Sequence, residues 1–295
     1  MYIEVENLAG LHDGEACAII GNGPSLNEIC LDHLTEITTV AVNQIYHLYN
    51  DTEWRPTYYA MLHEQNNEQW KIDGIQHNIS DSIVFIDDKF NVNETYPNLI
   101  RLRKLGDLKR VLHPDVKMSH DSTNISTIAN NLFSDDLCKG YYTLHSEFVM
   151  AQIIAYMGFR EVFLIGFDPE LYENQFVDFD NVVDMRSYGN NKLDYFYKAL
   201  ESGGPRELLN GIIWSLFRRF PRIYNALVDK PMYFDNKYKG EPKSSMEKYE
   251  HLLSHSVIKE ALNMRSIKIY QVHSDGLPCY EKISPQKFKT ILKSM

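Results

Sequence analysis

The sequence predicts an α/β fold: a doubly wound, mainly parallel sheet with helices on both faces and a lid or helical insertion. Three observations predict it. With 295 residues, 44% hydrophobic and 24% charged, the chain is long enough and apolar enough to bury a substantial core. Short β-rich apolar runs alternate with helical patterns, as in parallel sheets covered on both faces. Between Asp168 and about Glu247 that alternation stops, and Leu171 to Tyr197 is rich in Tyr, Phe, Asn and Asp without a clear period, which reads as a loop or lid.

The elements follow in order. The first strand, Ala16 to Ile20, leads into Gly21-Asn22-Gly23-Pro24-Ser25 and then a short helix from about Leu26. Strand Thr38 to Val42 ends at Asn43, Thr57 to Leu62 at His63 and Glu64, and Ser82 to Ile86 at Asp87 and Asp88. A long apolar helix, Ser146 to Met157, is stopped by Gly158 in the manner of a C-cap glycine. Strand Glu161 to Ile165 ends at Gly166 and Asp168, and Ser266 to Val272 ends at His273. Ser284 and Pro285 open a final helix as N-cap and N1 residues. The arrangement is Rossmann-like, with residues 1–168 as a nucleotide-binding core, 169–245 as lid and insertion, and 246–295 as a helix-strand-helix completing the core. Such sheets bind ligands beyond the strand carboxyl ends. The polar residues at those ends, Asn22, Asn43, His63, Glu64, Asp87, Asp168 and His273, are therefore expected at one rim, although each is also an ordinary turn former.

Composition narrows the partners. Thirty basic against forty acidic residues give a formal charge of -10, which argues against a nucleic-acid partner. Cys17, Cys30, Cys138 and Cys279 are scattered without CxxC pairing and read as reduced and structural, with no metal site. No secretory signal and no apolar run of membrane-spanning length are evident, so the expected location is the cytoplasm. One segment qualifies this. Residues 206–224 join an apolar helix, with Ile212, Ile213, Trp214, Leu216 and Phe217, to Arg206, Arg218, Arg219 and Arg222. It reads either as a peripheral contact with the inner face of a membrane or as a helix packed on the sheet or on a second copy in a homo-oligomer.

The glycine turn is the sharpest local signal. Glycines allow positive φ and close backbone approach, and a following helix would offer amide hydrogens and a positive dipole end to a phosphate. The segment matches neither GxGxxG nor GxxxxGK[ST], so dinucleotide and P-loop readings are weak and a plain tight turn stays open. His145, beside Ser146 at a helix start, is a candidate base or phosphate ligand, with a cap neighbour as the plainer reading. Asp87, Asp88 and Asp168 are candidates to hold Mg²⁺ for a phosphate donor, with turn and cap roles as the plainer reading.

The strand-GNGPSL turn, Val42-Asn43-Gln44-Ile45-Tyr46, Trp54-Arg55-Pro56-Thr57-Tyr58-Tyr59 and the run from Gln152 through Gly158 to Asp168 together resemble one superfamily. It joins bacterial lipooligosaccharide sialyltransferases of glycosyltransferase family 42, motility accessory factor glycosyltransferases and 6-hydroxymethylpterin diphosphokinase-like proteins. The resemblance implies that Gly21, Asn22, Gly23, Pro24, Ser25 and Asn43 hold the nucleotide of an activated donor. The donor-contacting Thr-Ser-Gly of the sialyltransferases falls on His145-Ser146-Glu147, where the serine alone is kept and Glu147 would repel an anionic sugar. Lid tyrosines that stabilise the leaving phosphate would be Tyr172 and Tyr188, and the family's histidine base would be His251 or His255, four apart and expected on an exposed helix face. The function implied is an inverting, sialyltransferase-like transfer from a nucleotide-sugar donor, CMP-linked by this likeness, to a cell-surface glycan acceptor such as a lipopolysaccharide, with no required cofactor. The alternatives are an ATP-dependent diphosphokinase that needs Mg²⁺, and a non-catalytic nucleotide-binding protein on the same scaffold.

Overall fold

The computed structural model describes residues 3–62, 68–90, 96–107, 122–167, 245–273 and 279–294. Its strands are β1 (Ala16–Ile20), β2 (Thr38–Val42), β3 (Tyr58–Met61), β4 (Ile83–Asp87), β5 (Leu99–Leu102), β6 (Lys104–Asp107), β7 (Tyr141–Thr143), β8 (Glu161–Ile165), β9 (Lys268–Val272) and β10 (Glu281–Ile283). The α-helices are α1 (Glu68–Asn78), α2 (Ser122–Asn131), α3 (Ser146–Tyr156), α4 (Ser245–Met264) and α5 (Pro285–Leu292). Eight strands form one sheet in the order β10-β9-β8-β1-β2-β3-β4-β5, and every pairing in it is parallel. The doubly wound α/β fold expected from the sequence is the fold observed. The strands β5, β6, β7 and β10 are additions that the apolar runs had not marked. They are short, and β5 at the sheet edge exposes Arg101.

The alternation of side chains along each strand builds two cores. Cys17, Ile19, Val40, Val42, Val162 and Leu164 face α3 and α4, whose Phe148, Ile153, Val257 and Leu262 are at most 1% exposed. Ala18, Ile20, Ala41, Phe163 and Ile165 face the other way, onto Leu26, Leu34, Ile45, Ile75 of α1 and Phe288 of α5. α3 is apolar and buried nearly all round, as a helix sandwiched between a sheet and a second helix must be.

Local chemistry sets the ends of these elements. Gly158 takes φ +91 beyond α3, where a Cβ would lie 3.0 Å from Asp13 Cα. Ser284 caps α5 by accepting from the Lys287 amide at 3.2 Å, with Pro285 at the start of the helix. Strand β9 begins two residues later than the apolar run suggests, because Ser266 adopts φ +58 in the turn after α4. The expected helix after the glycine turn is instead a single 3₁₀ turn, Pro24–Glu28, and a second 3₁₀ segment, Leu31–Glu36, completes the crossover to β2. All four cysteines are free, and Cys17 lies in the core, where burial pushes its thiol up; Cys30 and Cys138 are exposed. Among the described residues no helix is long and apolar enough to cross a membrane.

Candidate functional site

The strand order changes direction at β1, which has β2 on one side and β8 on the other. A crevice beyond the carboxyl ends is expected there. Two glycines shape its floor. Gly21 donates its amide to Ile165 O at 2.7 Å, and Gly23 donates to Gly166 O at 2.8 Å. A Cβ on Gly21 would stand 2.5 Å from Gly166 O, and one on Gly166, whose φ is +74, would stand 2.8 Å from Gly21 O. The strand tips therefore touch backbone to backbone. This narrows the expectation that the bend's amides point at an anion: those of Gly21 and Gly23 are spent on the chain at the end of β8, and Pro24 has none. Nor does the 3₁₀ turn that follows, with five residues, supply the aligned peptides of a helix dipole.

What the bend does present is Asn22. The residue is 8% exposed, its Nδ2 donates to Val42 O at 3.3 Å, and its Oδ1 has no hydrogen-bond partner. The Val42 carbonyl fixes which end of the amide is the donor, so the oxygen is left as a buried acceptor. Such a group costs about 1–3 kcal/mol unless something donates to it. Nearby, Ser25 is also buried.

At the end of β2, Asn43 adopts φ +55, a left-handed conformation that is uncommon for a residue with a side chain. The strained backbone is tied on two sides. Its carbonyl accepts from the Tyr59 hydroxyl of β3, and its Nδ2 donates to Ser146 Oγ at 3.3 Å. Asn43 and Ser146 are 103 positions apart in the chain, so the structure brings these two sequence-marked residues together. Gln44 follows, 5% exposed with an unpartnered Nε2. Sequence reasoning quoted Gln44 within a motif without assigning it a role, and a buried side-chain amide at a strand end was the only available signal.

The start of α3 brings a third group. His145 occupies the N-cap position with its side chain 6% exposed and makes no cap hydrogen bond. Glu147, 8% exposed, places Oε1 4.0 Å from His255 Nε2. His255 lies on α4 and is 2% exposed, which overturns the expected exposed helix face. The reason is packing. Its Nδ1 meets the Tyr280 hydroxyl at 2.9 Å, that hydroxyl also lies 3.1 Å from the His255 backbone oxygen, and the Phe167 ring stands edge-on at 5.9 Å. Phe167 in turn closes on the bend, since a Cβ on Gly21 would come within 3.0 Å of its ring. Phe167 and Tyr280 are therefore site neighbours that the sequence alone did not nominate as such, whereas Glu147 stands where the resemblance put a donor contact.

Other sequence-marked residues lie apart. Asp87, at the tip of β4, stands three strands from β1, about 14 Å at ordinary strand spacing. Its Oδ2 accepts from Tyr141 at 2.8 Å and its Oδ1 from the Lys89 amide at 2.9 Å, so it serves its own turn, and Asp88 donates its amide to Leu102 O. His273, 9% exposed at the tip of β9, donates its amide to Ile283 O. Among the described residues no three His, Cys, Asp or Glu side chains gather as a metal site. His63, Glu64, Asp168, Tyr172, Tyr188 and the segment 206–224 lie outside the described residues, as do the side chains of Pro24 and His251.

No family model matches this chain, and no curated protein does. Among solved structures it is similar to the MAf glycosyltransferase from Magnetospirillum magneticum AMB-1, with 13% identity and a TM-score of 0.35 over 56% of this chain. The matched part is 26% of that longer protein. A likeness of this size carries nothing about chemistry.

Proposed function

We propose that the chain is an inverting glycosyltransferase that moves a sugar from a nucleotide-activated donor to a hydroxyl of a glycan. The observation that carries this reading is the unpartnered, buried Asn22 Oδ1 at the sheet's reversal point, within a rim that also holds Asn43, Gln44, Ser146 and, behind Phe167, His255. An orphan acceptor and an orphan donor on adjacent strand ends suit a ligand with both N–H or O–H groups and oxygens, as a nucleoside with its ribose hydroxyls has. Rupture of the sugar–phosphate bond builds positive charge on the sugar and negative charge on the leaving phosphate. A side chain near the sugar must then accept the hydroxyl proton, and the His255–Glu147 neighbourhood supplies one. Glu147 weighs against a donor sugar bearing a carboxylate, so the reading favours an uncharged sugar over a sialic acid.

A diphosphokinase would need Mg²⁺ beside the nucleotide; Asp87 and its neighbour Asp88 stand too far along the sheet to serve it there, and the third candidate, Asp168, lies outside the described residues. Thermal-shift measurements with CMP, CDP, UDP, GDP and ATP, each with and without Mg²⁺, test the reading. Stabilisation by a nucleotide without metal is the expected result. A shift seen only with ATP and Mg²⁺ would transfer the assignment to the diphosphokinase class, and no shift with any of them would leave a scaffold without nucleotide chemistry.

A further inference from the structure

We propose that Tyr59 is a positioning residue of the crevice: its hydroxyl holds the Asn43–Gln44 peptide in the strained orientation that sets both of these rim side chains. The inference rests on the nucleotide-binding reading and adds to it a fully buried residue that acts through others. At Asn43 the chain turns from β2 into a 3₁₀ segment, Asn43–Asn50. Asn43 is left-handed at φ +55, and Gln44 departs from helical values at φ -89 and ψ 27. A single planar peptide joins the two residues, so its orientation fixes ψ of the first together with φ of the second. That peptide's carbonyl is the group to which the Tyr59 hydroxyl donates. A carbonyl oxygen only accepts, so the phenol gives the proton.

The hydroxyl is itself backed by structure. Tyr59 is 0% exposed and belongs to the same core as Ala41, Ile45 and Ile75. Helix α1 passes it at Gly74, where a Cβ would run into the Tyr59 hydroxyl and stand 2.9 Å from Met61 Cε. The same helix reaches the far end of the 3₁₀ segment: Asn78 donates Nδ2 to Gly74 O at 2.8 Å and accepts from the Tyr49 hydroxyl. The segment is thus held at its first residue by Tyr59 and near its last by Asn78, while β2, paired on both sides, fixes the chain before it. A residue with a side chain keeps a left-handed conformation only where its surroundings impose it. Without the hydroxyl, Asn43 relaxes toward extended values, which carries Nδ2 away from Ser146 Oγ and turns Gln44 with it.

Calorimetric titration of the full chain tests this, with whichever of CMP, CDP, UDP, GDP and ATP gives the largest thermal shift. Tyr59→Phe keeps the ring in the core and removes the hydroxyl alone; it should raise Kd roughly tenfold. A merely structural tyrosine would lower the thermal midpoint and leave the affinity of the folded chain unchanged. The deciding comparison is made in an Asn43→Gly background. Glycine takes φ +55 without strain, so there Tyr59→Phe should change Kd by less than about twofold. Gly74→Ala displaces the same hydroxyl from the α1 side and should give both results again, so it reports even if Tyr59→Phe fails to fold. If Tyr59→Phe keeps Kd within twofold of wild type, or costs the same factor in both backgrounds, Tyr59 does not position Asn43 and the nucleotide-binding reading survives. If the wild-type chain binds none of the five nucleotides, both readings fall together.

Discussion

Asn43 combines a strained backbone with a side chain bonded across the crevice to Ser146, and the two roles can be separated. Glycine tolerates φ +55 and removes the amide. Asn43→Gly should therefore hold the thermal midpoint near the wild-type value while weakening nucleotide binding by about 1–3 kcal/mol, measured by calorimetric titration. Unchanged affinity would remove Asn43 from the site. Tyr58 makes a second residue-scale case, at the opposite end of the sheet. His12 bonds Tyr58 at 2.7 Å and Glu15 at 2.7 Å, and stacks on Phe159. Burial first, and then the Glu15 carboxylate, push the Tyr58 hydroxyl up to about 12. An unfolded tyrosine ionises near pH 10, so between there and pH 12 the folded chain keeps a proton that the unfolded chain has released. Stability from this group is complete below pH 10 and is lost as pH rises through 12. Tyr58→Phe should flatten the decline of the unfolding free energy over that interval by about 2 kcal/mol. Tyr46, also raised to about 12, titrates in the same window, so part of the decline should remain. An identical alkaline slope in the variant would show that Tyr58 ionises freely when folded.

The elements that shape the crevice are the tips of β1 and β8, and their contact leaves no room for a methyl group. Gly21→Ala would set a Cβ against the Gly166 carbonyl, backbone against backbone, with no flexible side chain to yield. We expect a loss of about 2 kcal/mol or more in urea denaturation, together with weaker nucleotide binding as the Asn22 amide is displaced. A stable variant with native affinity would mean that the strand ends separate at little cost. Much of this level was legible in the sequence: the boundaries of β1, β2, α3 and β8 follow from apolar runs ended by Gly, Asn or polar residues. The helix expected after the bend was not. Pro24–Glu28 and Leu31–Glu36 form 3₁₀ turns there, a preference for local 3₁₀ geometry that apolar periodicity does not encode. His255 was misjudged for a related reason. A histidine at helical spacing from another histidine looks like surface, and only Tyr280, 25 positions later, and Glu147, 108 positions earlier, turn that face inward.

Across the whole molecule, the candidate site draws on both halves of the sheet, with Asn22 and Asn43 from the early strands and Ser146, Glu147 and His255 from later helices. A nucleotide bound there bridges segments that are remote in the chain, so it should protect them together. Hydrogen exchange with a saturating nucleotide is expected to slow at 21–23, 43–46, 146–148 and 254–258, with global stabilisation of about 2.7 kcal/mol at a hundredfold excess over Kd. Protection confined to the glycine bend would show that the rim residues do not form one site. The amino-acid order alone determined the layered α/β fold and the identity of the strand-end residues, because apolar periodicity and turn chemistry are local properties. Tertiary structure decided which of those residues meet. Strand order separates Asp87 from β1, the glycine amides are consumed by a neighbouring strand, and a buried carboxylate faces a buried imidazole. Pairings of that kind depend on contacts between distant parts of the chain, and no local pattern encodes them.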